Sequence, residues 1–241
     1  MKRYAFAAAA ALSIAVPSVS QATTINVTNY SFAMGSKDGT LHTTAGPFNN
    51  VVASFGQFTL TGTNVPSGTP VSLATYCVDL NHALIIPGLF DVAAVTSVFS
   101  AGTSLNITKL LANVTPTNAD MSAAVQLALW ELTFDTSGTK DVEAGGTQGQ
   151  FYVTTGTSAT ARTLANGYLT SLAGWSVPTG GTAYLLVNSA STQNNNAANQ
   201  IQVFYAVTAV PEAATWGMMI VGFGVVGASM RRRAKVTYRI A

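Results

Sequence analysis

Short segments with apolar residues at alternating positions recur along the middle of the chain and predict β-strands. Four of them are rich in the β-branched and aromatic residues that strands favour. They cover residues 54–63, 69–80, 181–187 and 201–208. The last two flank a polar loop at 188–200, an arrangement that suits an antiparallel pair. The middle of the chain is therefore expected to be mainly β.

Three other stretches have helical spacing. They cover residues 104–114, 117–135 and 157–175, and the third starts at a Ser/Thr cap. The second has a polar start at Asn118 or Asp120, followed by apolar residues three and four positions apart, as in a helix with a buried face. Strands and helices together predict one exported domain, residues 23–209, a β-sandwich or barrel-like fold with two or three inserted helices.

The N-terminus departs from this pattern. Residues 1–22 place two cations, an apolar segment and small residues ending at Ala22 in the order of a secretory signal peptide. As a helix, the apolar part spans about 20 Å, short of the roughly 30 Å hydrocarbon core of a membrane. We therefore expect the chain to be exported and cut after Ala22.

A second apolar segment, residues 213–230, lies near the C-terminus and carries no charge. As a helix it reaches about 27 Å, close to the thickness of the hydrocarbon core and just enough to cross it. Arginines follow it, and Lys and Arg favour the cytoplasmic side. The pattern predicts one transmembrane helix that anchors the precursor in the inner membrane, with the C-terminus in the cytoplasm.

The residues around this helix, over 210–235, resemble a known sorting signal. They are Pro211, Glu212, Trp216, Arg231, Arg232 and Arg233. Their three-part order is similar to the PEP-CTERM sorting signal, with Ala213 where that family usually has a second proline. The resemblance implies processing by an exosortase-type membrane enzyme and release to the cell surface or exopolysaccharide matrix of a Gram-negative bacterium. The alternative is an ordinary C-terminal anchor.

Charge is scarce and unevenly placed. Charged residues make up 8% of the chain, and seven of the eleven cations lie near the two termini. Residues 23–209 carry four cations against eight acids, a net charge of −4. This negative balance provides no basic surface that would bind nucleic acid, so no nucleic-acid partner is expected.

Candidate catalytic and metal-binding residues are few. His42 and His82 are the only histidines, too few for a three-histidine zinc site. Asp79 and His82 could form a ligand cluster, but the following residues do not fit a calcium-binding loop. We therefore predict no metal, no cofactor and no enzyme activity. The remaining catalytic alternative is a secreted hydrolase with Cys77 as nucleophile and His42 as base.

The remaining chemistry centres on the single cysteine, Cys77. It cannot close an internal disulfide, so it is buried and inert, pairs between chains, or reacts. In the second predicted helix, Gln126 is the single polar residue of the apolar stretch 123–130, and a buried amide without partners costs about 1–3 kcal/mol. Attack of the cysteine sulfur on the Gln126 side-chain carbonyl, with loss of ammonia, would form an internal thioester and remove both groups.

These two stretches resemble the thioester domains of bacterial surface adhesins. The matching residues are Cys77-Val78-Asp79 and Gln126-Leu127-Ala128-Leu129-Trp130. Val125 stands where the family usually has threonine, and the resemblance spans roughly residues 50–175. It implies a surface or matrix protein that attaches covalently through Cys77 and Gln126.

Three functional hypotheses follow. The first is this covalently attaching protein, with an extracellular polysaccharide or an amine-bearing surface as partner. The second is a structural or polysaccharide-associated matrix protein in which both motifs are ordinary core. The third is the cysteine hydrolase.

Overall fold

The computed structural model describes residues 23–43, 49–135, 140–143, 150–189, 199–207 and 221–223. The predicted signal peptide, residues 1–22, lies outside this set. So does the C-terminal segment that carries the predicted membrane helix and sorting signal, apart from the helical residues 221–223. Within the described ranges, no helix combines the length and apolar character needed to cross a membrane.

The described residues form nine strands and three α-helices. The strands are β1 (Thr24–Phe32), β2 (Lys37–Thr43), β3 (Val51–Phe55), β4 (Phe58–Val65), β5 (Pro70–Cys77), β6 (Gly88–Ala94), β7 (Phe151–Thr154), β8 (Gly181–Asn188) and β9 (Gln202–Val207). The helices are α1 (Ala101–Asn113), α2 (Ala119–Phe134) and α3 (Ala159–Ser171). Short 3-10 helices follow β6 and α3, at Val95–Ser97 and Leu172–Gly174. The expected mainly-β fold with inserted helices is confirmed.

Six strands close into a barrel in the order β1-β4-β5-β9-β8-β6. Antiparallel pairing of β1 with β6 joins the two ends of the sheet, and β8 and β9 form the predicted antiparallel pair. Alternate residues point inward, and a small apolar cluster fills the interior, made of Ile25, Val27, Leu60, Phe90 and Leu186. The other three strands form a separate sheet in the order β3-β2-β7.

Helix α2 lies at the centre of the larger core. Residues 122–132 are all buried, because its sequence is apolar on nearly every side. The helix packs against α1, α3, β5 and all three strands of the smaller sheet. Asn118 caps its N-terminus by accepting a hydrogen bond from the Met121 N–H at 2.9 Å, as predicted. The most buried helix of the protein therefore lies beside the end of β5.

The predicted strand at 54–63 is wrong in one respect, because it is two strands in different sheets. The chain passes from β3 to β4 at Gly56 and Gln57. A Cβ at Gly56 would lie 3.1 Å from both the Gly35 carbonyl oxygen and the Ser122 hydroxyl. The Gln57 N–H donates to that hydroxyl at 2.6 Å, so contact with α2 fixes the crossing.

The third predicted helix also differs in detail. Helix α3 ends at Ser171 and continues as a 3-10 turn to Gly174. Ser158 precedes it, but its hydroxyl donates to the Thr155 carbonyl at 3.0 Å and does not cap the helix.

Candidate functional site

Cys77 is the last residue of β5, at the end of the barrel. On one side, β5 pairs with β9 through Tyr76 and Cys77. On the other side, pairing with β4 stops at Thr75, which lies opposite Phe58. Beyond Thr75 this edge of β5 has no strand partner among the described residues, so the Cys77 N–H and carbonyl need another group.

The side-chain amide of Gln126 supplies that group. The Cys77 N–H donates to Gln126 Oε1 at 3.0 Å, and Gln126 Nε2 donates to the Cys77 carbonyl at 2.6 Å. The amide thus pairs with β5 as a strand peptide would. Cys77 and Gln126 are 1% and 0% exposed. The structure therefore brings the two predicted thioester residues into direct contact.

The thiol of Cys77 has its own short contacts. It donates to the Asp79 carbonyl at 3.1 Å, and the Asp79 N–H lies 3.4 Å from the sulfur. Burial raises the pKa of Cys77 from 9.0 to about 12; the Asp79 backbone and the Trp130 indole oppose this rise, and the Asp79 charge adds to it. The thiol is therefore protonated at neutral pH, unlike the low-pKa thiolate of a catalytic cysteine.

The candidate ligand cluster at Asp79 and His82 is a local pair. His82 Nδ1 lies 2.6 Å from Asp79 Oδ2, and the Asn81 N–H donates to the other carboxylate oxygen at 2.8 Å. In the part of the chain that the structure describes, no group of three or more His, Cys, Asp or Glu side chains could hold a metal ion.

His42, the proposed base of a cysteine hydrolase, lies on β2. Its Nε2 lies 2.9 Å from the Thr154 hydroxyl, and its ring stacks on Tyr152 with centroids 4.5 Å apart. Neither contact brings it to Cys77. The structure thus shows no cysteine–histidine pair at these residues.

A partly open pocket of about 90 Å³ borders the cysteine and the glutamine. It is lined by Leu41, Ala53, Ser54, Phe55, Phe58, Cys77, Leu80, Gln126, Trp130 and Gln200. Apart from the thiol, none of these side chains is ionisable. The pocket therefore gives a small, neutral group a route to the contact between Cys77 and Gln126.

Trp130 follows Gln126 by four residues and so lies on the same face of α2. Phe55 and Phe151 pack against its ring in T-shaped contacts, with centroids 5.9 Å and 6.0 Å away. Its buried Nε1–H has no hydrogen-bond partner among the described residues.

Gln200 lines the pocket and Gln202 is hydrogen-bonded to it, and neither residue was predicted from the sequence. Gln202 Oε1 accepts from the Thr75 hydroxyl at 3.2 Å, and its Nε2 donates to Gln200 Oε1 at 2.7 Å. Gln200 Nε2 donates in turn to the His82 carbonyl at 3.1 Å. The available signal was two glutamines two positions apart, one just before β9 and one at its first residue, since extended chain places such side chains on one face.

The predicted sorting residues lie outside the described residues: Pro211, Glu212, Trp216, Arg231, Arg232 and Arg233. A comparison with known protein families covers these residues. The family model for the PEP-CTERM protein-sorting motif matches residues 209–233, which confirms the signal predicted at 210–235. No curated protein matches the chain.

Among solved structures, the chain is similar to the thioester domain of the Staphylococcus aureus TIE protein. The identity is 9% and the TM-score 0.39, with 75% of this chain and 77% of that chain covered. A likeness this distant says nothing about chemistry. The sorting motif, by contrast, makes this chain an exported protein whose C-terminal tail is anchored in a membrane before exosortase processes it.

Proposed function

We propose that the exported domain attaches covalently to a partner through an internal thioester between Cys77 Sγ and Gln126 Cδ. The observation that carries this proposal is the two-point contact between the Gln126 amide and the Cys77 backbone. It fixes the carbonyl to be attacked beside the residue that attacks it, and such fixed proximity accounts for much of the rate of intramolecular reactions.

The contact also supports the formation step. As the sulfur attacks Cδ, negative charge develops on Gln126 Oε1, which already accepts the Cys77 N–H at 3.0 Å. A donor fixed at this position stabilises the tetrahedral intermediate. The Sγ–Cδ bond forms, the Cδ–Nε2 bond breaks, the thiol proton moves to the leaving nitrogen, and ammonia departs.

In the attachment step the sulfur is the leaving group, whereas it is the nucleophile when the thioester forms. A primary amine or a hydroxyl of the partner attacks Cδ, the Sγ–Cδ bond breaks, and the nucleophile's proton restores the thiol. The product is an amide or an ester on residue 126. The apolar walls of the pocket protect the thioester from water until a nucleophile enters. Since the thioester is consumed, the domain reacts once and is not an enzyme.

The predicted signal peptide and sorting signal account for how the domain leaves the cell. The signal peptide at 1–22 directs export, and the helix at 213–230 holds the precursor in the inner membrane of a Gram-negative cell with its C-terminus in the cytoplasm. Exosortase then cuts near Pro211-Glu212. The released domain reaches the cell surface or an exopolysaccharide matrix, where a polysaccharide hydroxyl or an amine-bearing surface is its partner.

One observation favours a second function, a structural or polysaccharide-associated matrix protein without covalent chemistry. Both polar atoms of the Gln126 amide are hydrogen-bonded, and together they complete the open edge of β5. A glutamine would serve this structural purpose with no reaction.

Labelling with methylamine separates the two functions. A thioester predicts that wild-type protein gains one methylamine at Gln126 and releases one titratable thiol. Cys77→Ala protein, which keeps the glutamine and its backbone contacts, should gain none. If wild-type protein gains no methylamine and one thiol titrates after unfolding without that treatment, no thioester forms and the second function is favoured.

A further inference from the structure

The indole N–H of Trp130 is a buried hydrogen-bond donor without an acceptor in the described structure. Buried tryptophans usually find a partner for this group, and a buried donor left unpaired is destabilising. The side chain is 4% exposed, so bulk water reaches little of it. A cost of this kind at a pocket calls for a reason other than packing.

The position of the ring supplies one. Trp130 lines the same pocket as Cys77 and Gln126. In this resting structure its N–H makes no hydrogen bond to the Cys77 sulfur, although the indole opposes the rise of the thiol's pKa. Because Phe55 and Phe151 pack against the ring in T-shaped contacts, its orientation is fixed before any reaction.

The sulfur itself lacks strong donors in this resting state. It receives the Asp79 N–H at 3.4 Å, a long contact, and gives its own proton to the Asp79 carbonyl. A sulfur that becomes an anion in a dry pocket needs a better donor than this. Asp79 is the acidic residue whose charge raises the thiol's pKa, so it offers no electrostatic help.

We propose that the Trp130 indole N–H stabilises the Cys77 sulfur while the thioester forms and while it breaks. The inference rests on the proposed function and names a further residue for it. When an amine adds to Gln126 Cδ and the Sγ–Cδ bond breaks, the electron pair of that bond stays on the sulfur. Trp130 then donates a hydrogen bond to the sulfur until the amine's proton reaches it and restores the thiol.

The test replaces the N–H and keeps the ring. Trp130→Phe preserves an aromatic side chain, and a benzothienylalanine at position 130 preserves the size and shape of indole with sulfur in place of N–H. A hydrogen bond to a charged group is worth roughly a 10- to 100-fold change in rate. Both variants of the full chain should therefore take up methylamine roughly 10- to 100-fold more slowly than wild-type protein. Trp175→Phe is the matched control, because Trp175 packs on Tyr168 and does not line the pocket, and it should label at the wild-type rate.

A packing role predicts a different pattern. If the benzothienylalanine protein labels as fast as wild-type protein while Trp130→Phe is slow, ring shape is what matters and the inference is overturned. Equal rates in all proteins would overturn it as well.

A second measurement does not depend on the thioester. The free thiol, obtained after methylamine treatment or present from the start if no thioester forms, is alkylated with iodoacetamide, which reacts with the thiolate. Loss of the Trp130 N–H should slow this reaction about tenfold, because one fewer donor supports the anion. An unchanged alkylation rate contradicts the role of Trp130, whereas absence of methylamine uptake in wild-type protein contradicts the proposed function.

Discussion

Helix α2 carries a buried amide, Gln126, and a buried carboxyl group, Glu131, in very different surroundings. Both are 0% exposed. Gln126 has its oxygen and its nitrogen bonded to the backbone of Cys77. Glu131 accepts the Asp141 N–H at 3.2 Å with one carboxyl oxygen, while Oε2 finds no donor in the described structure.

This difference in hydrogen bonding determines how the stability of each part of the helix depends on pH. A neutral amide with both atoms bonded is the same at any pH. Burial, and after it the charge of Asp135, raises the pKa of Glu131 from 4.5 to about 8, whereas the Asp141 N–H and Lys140 oppose the shift. One helix thus holds a pH-independent contact beside a pH-dependent one.

The largest effect is expected from removing the amide. Gln126→Leu leaves the Cys77 N–H and carbonyl without partners, so the free energy of unfolding should fall by roughly 2–5 kcal/mol. Cys77→Ala keeps those bonds and should cost about 1 kcal/mol. Neither variant can form a thioester, so urea unfolding compares them directly. Equal losses would show that the Gln126 contact contributes nothing to stability.

The pairing of Cys77 with Gln126 could be predicted from sequence because each residue is unusual in its surroundings. One is the lone cysteine, and the other interrupts an apolar run. Two facts that define the site could not be predicted. Pairing of β4 with β5 stops at Thr75, and Gln200 reaches the pocket from 123 positions beyond Cys77. Both depend on strand register and long-range packing, which local periodicity does not encode.

The misplaced strand has a different cause. The apolar positions change parity between Phe55 and Phe58, so the alternation breaks at Gly56 and Gln57, but this break does not by itself say that the two halves join different sheets. The crossing depends on contact with Ser122 of α2, 65 positions away. Likewise, nothing in the sequence distinguishes Glu131 from an ordinary surface acid near a helix end.

The second-largest effect is the pH dependence of stability that Glu131 causes. Since the folded state raises this pKa from 4.5 to about 8, it binds the proton more tightly than the unfolded chain does. The contribution of protonated Glu131 to the free energy of unfolding is fully present below pH 4.5 and is lost as the pH rises through about 8. The loss should be on the order of a few kcal/mol. Glu131→Gln should flatten this dependence in denaturant unfolding measured across the same window, and an unflattened curve would assign it to other groups.

The smallest effect is expected at Asn166, which holds the segment that faces Glu131. Its side chain accepts the Val142 N–H at 3.0 Å and donates to Asp141 at 2.7 Å. Asn166→Ala should cost about 1 kcal/mol and move the pH midpoint upward, because Glu131 loses part of its support from the Asp141 N–H. Asn113→Ala, which removes two hydrogen bonds at an exposed asparagine, is the control and should leave the midpoint in place. A downward shift in the Asn166 variant would contradict the account.

The most direct test of the central claim is the intact mass of the untreated exported protein. A thioester between Cys77 and Gln126 predicts a mass lower than the calculated one by one ammonia, and Cys77→Ala protein should show its full calculated mass. A wild-type protein at its full calculated mass, with a thiol that titrates freely after unfolding, would contradict the claim and leave the Gln126 amide as a structural cap on β5.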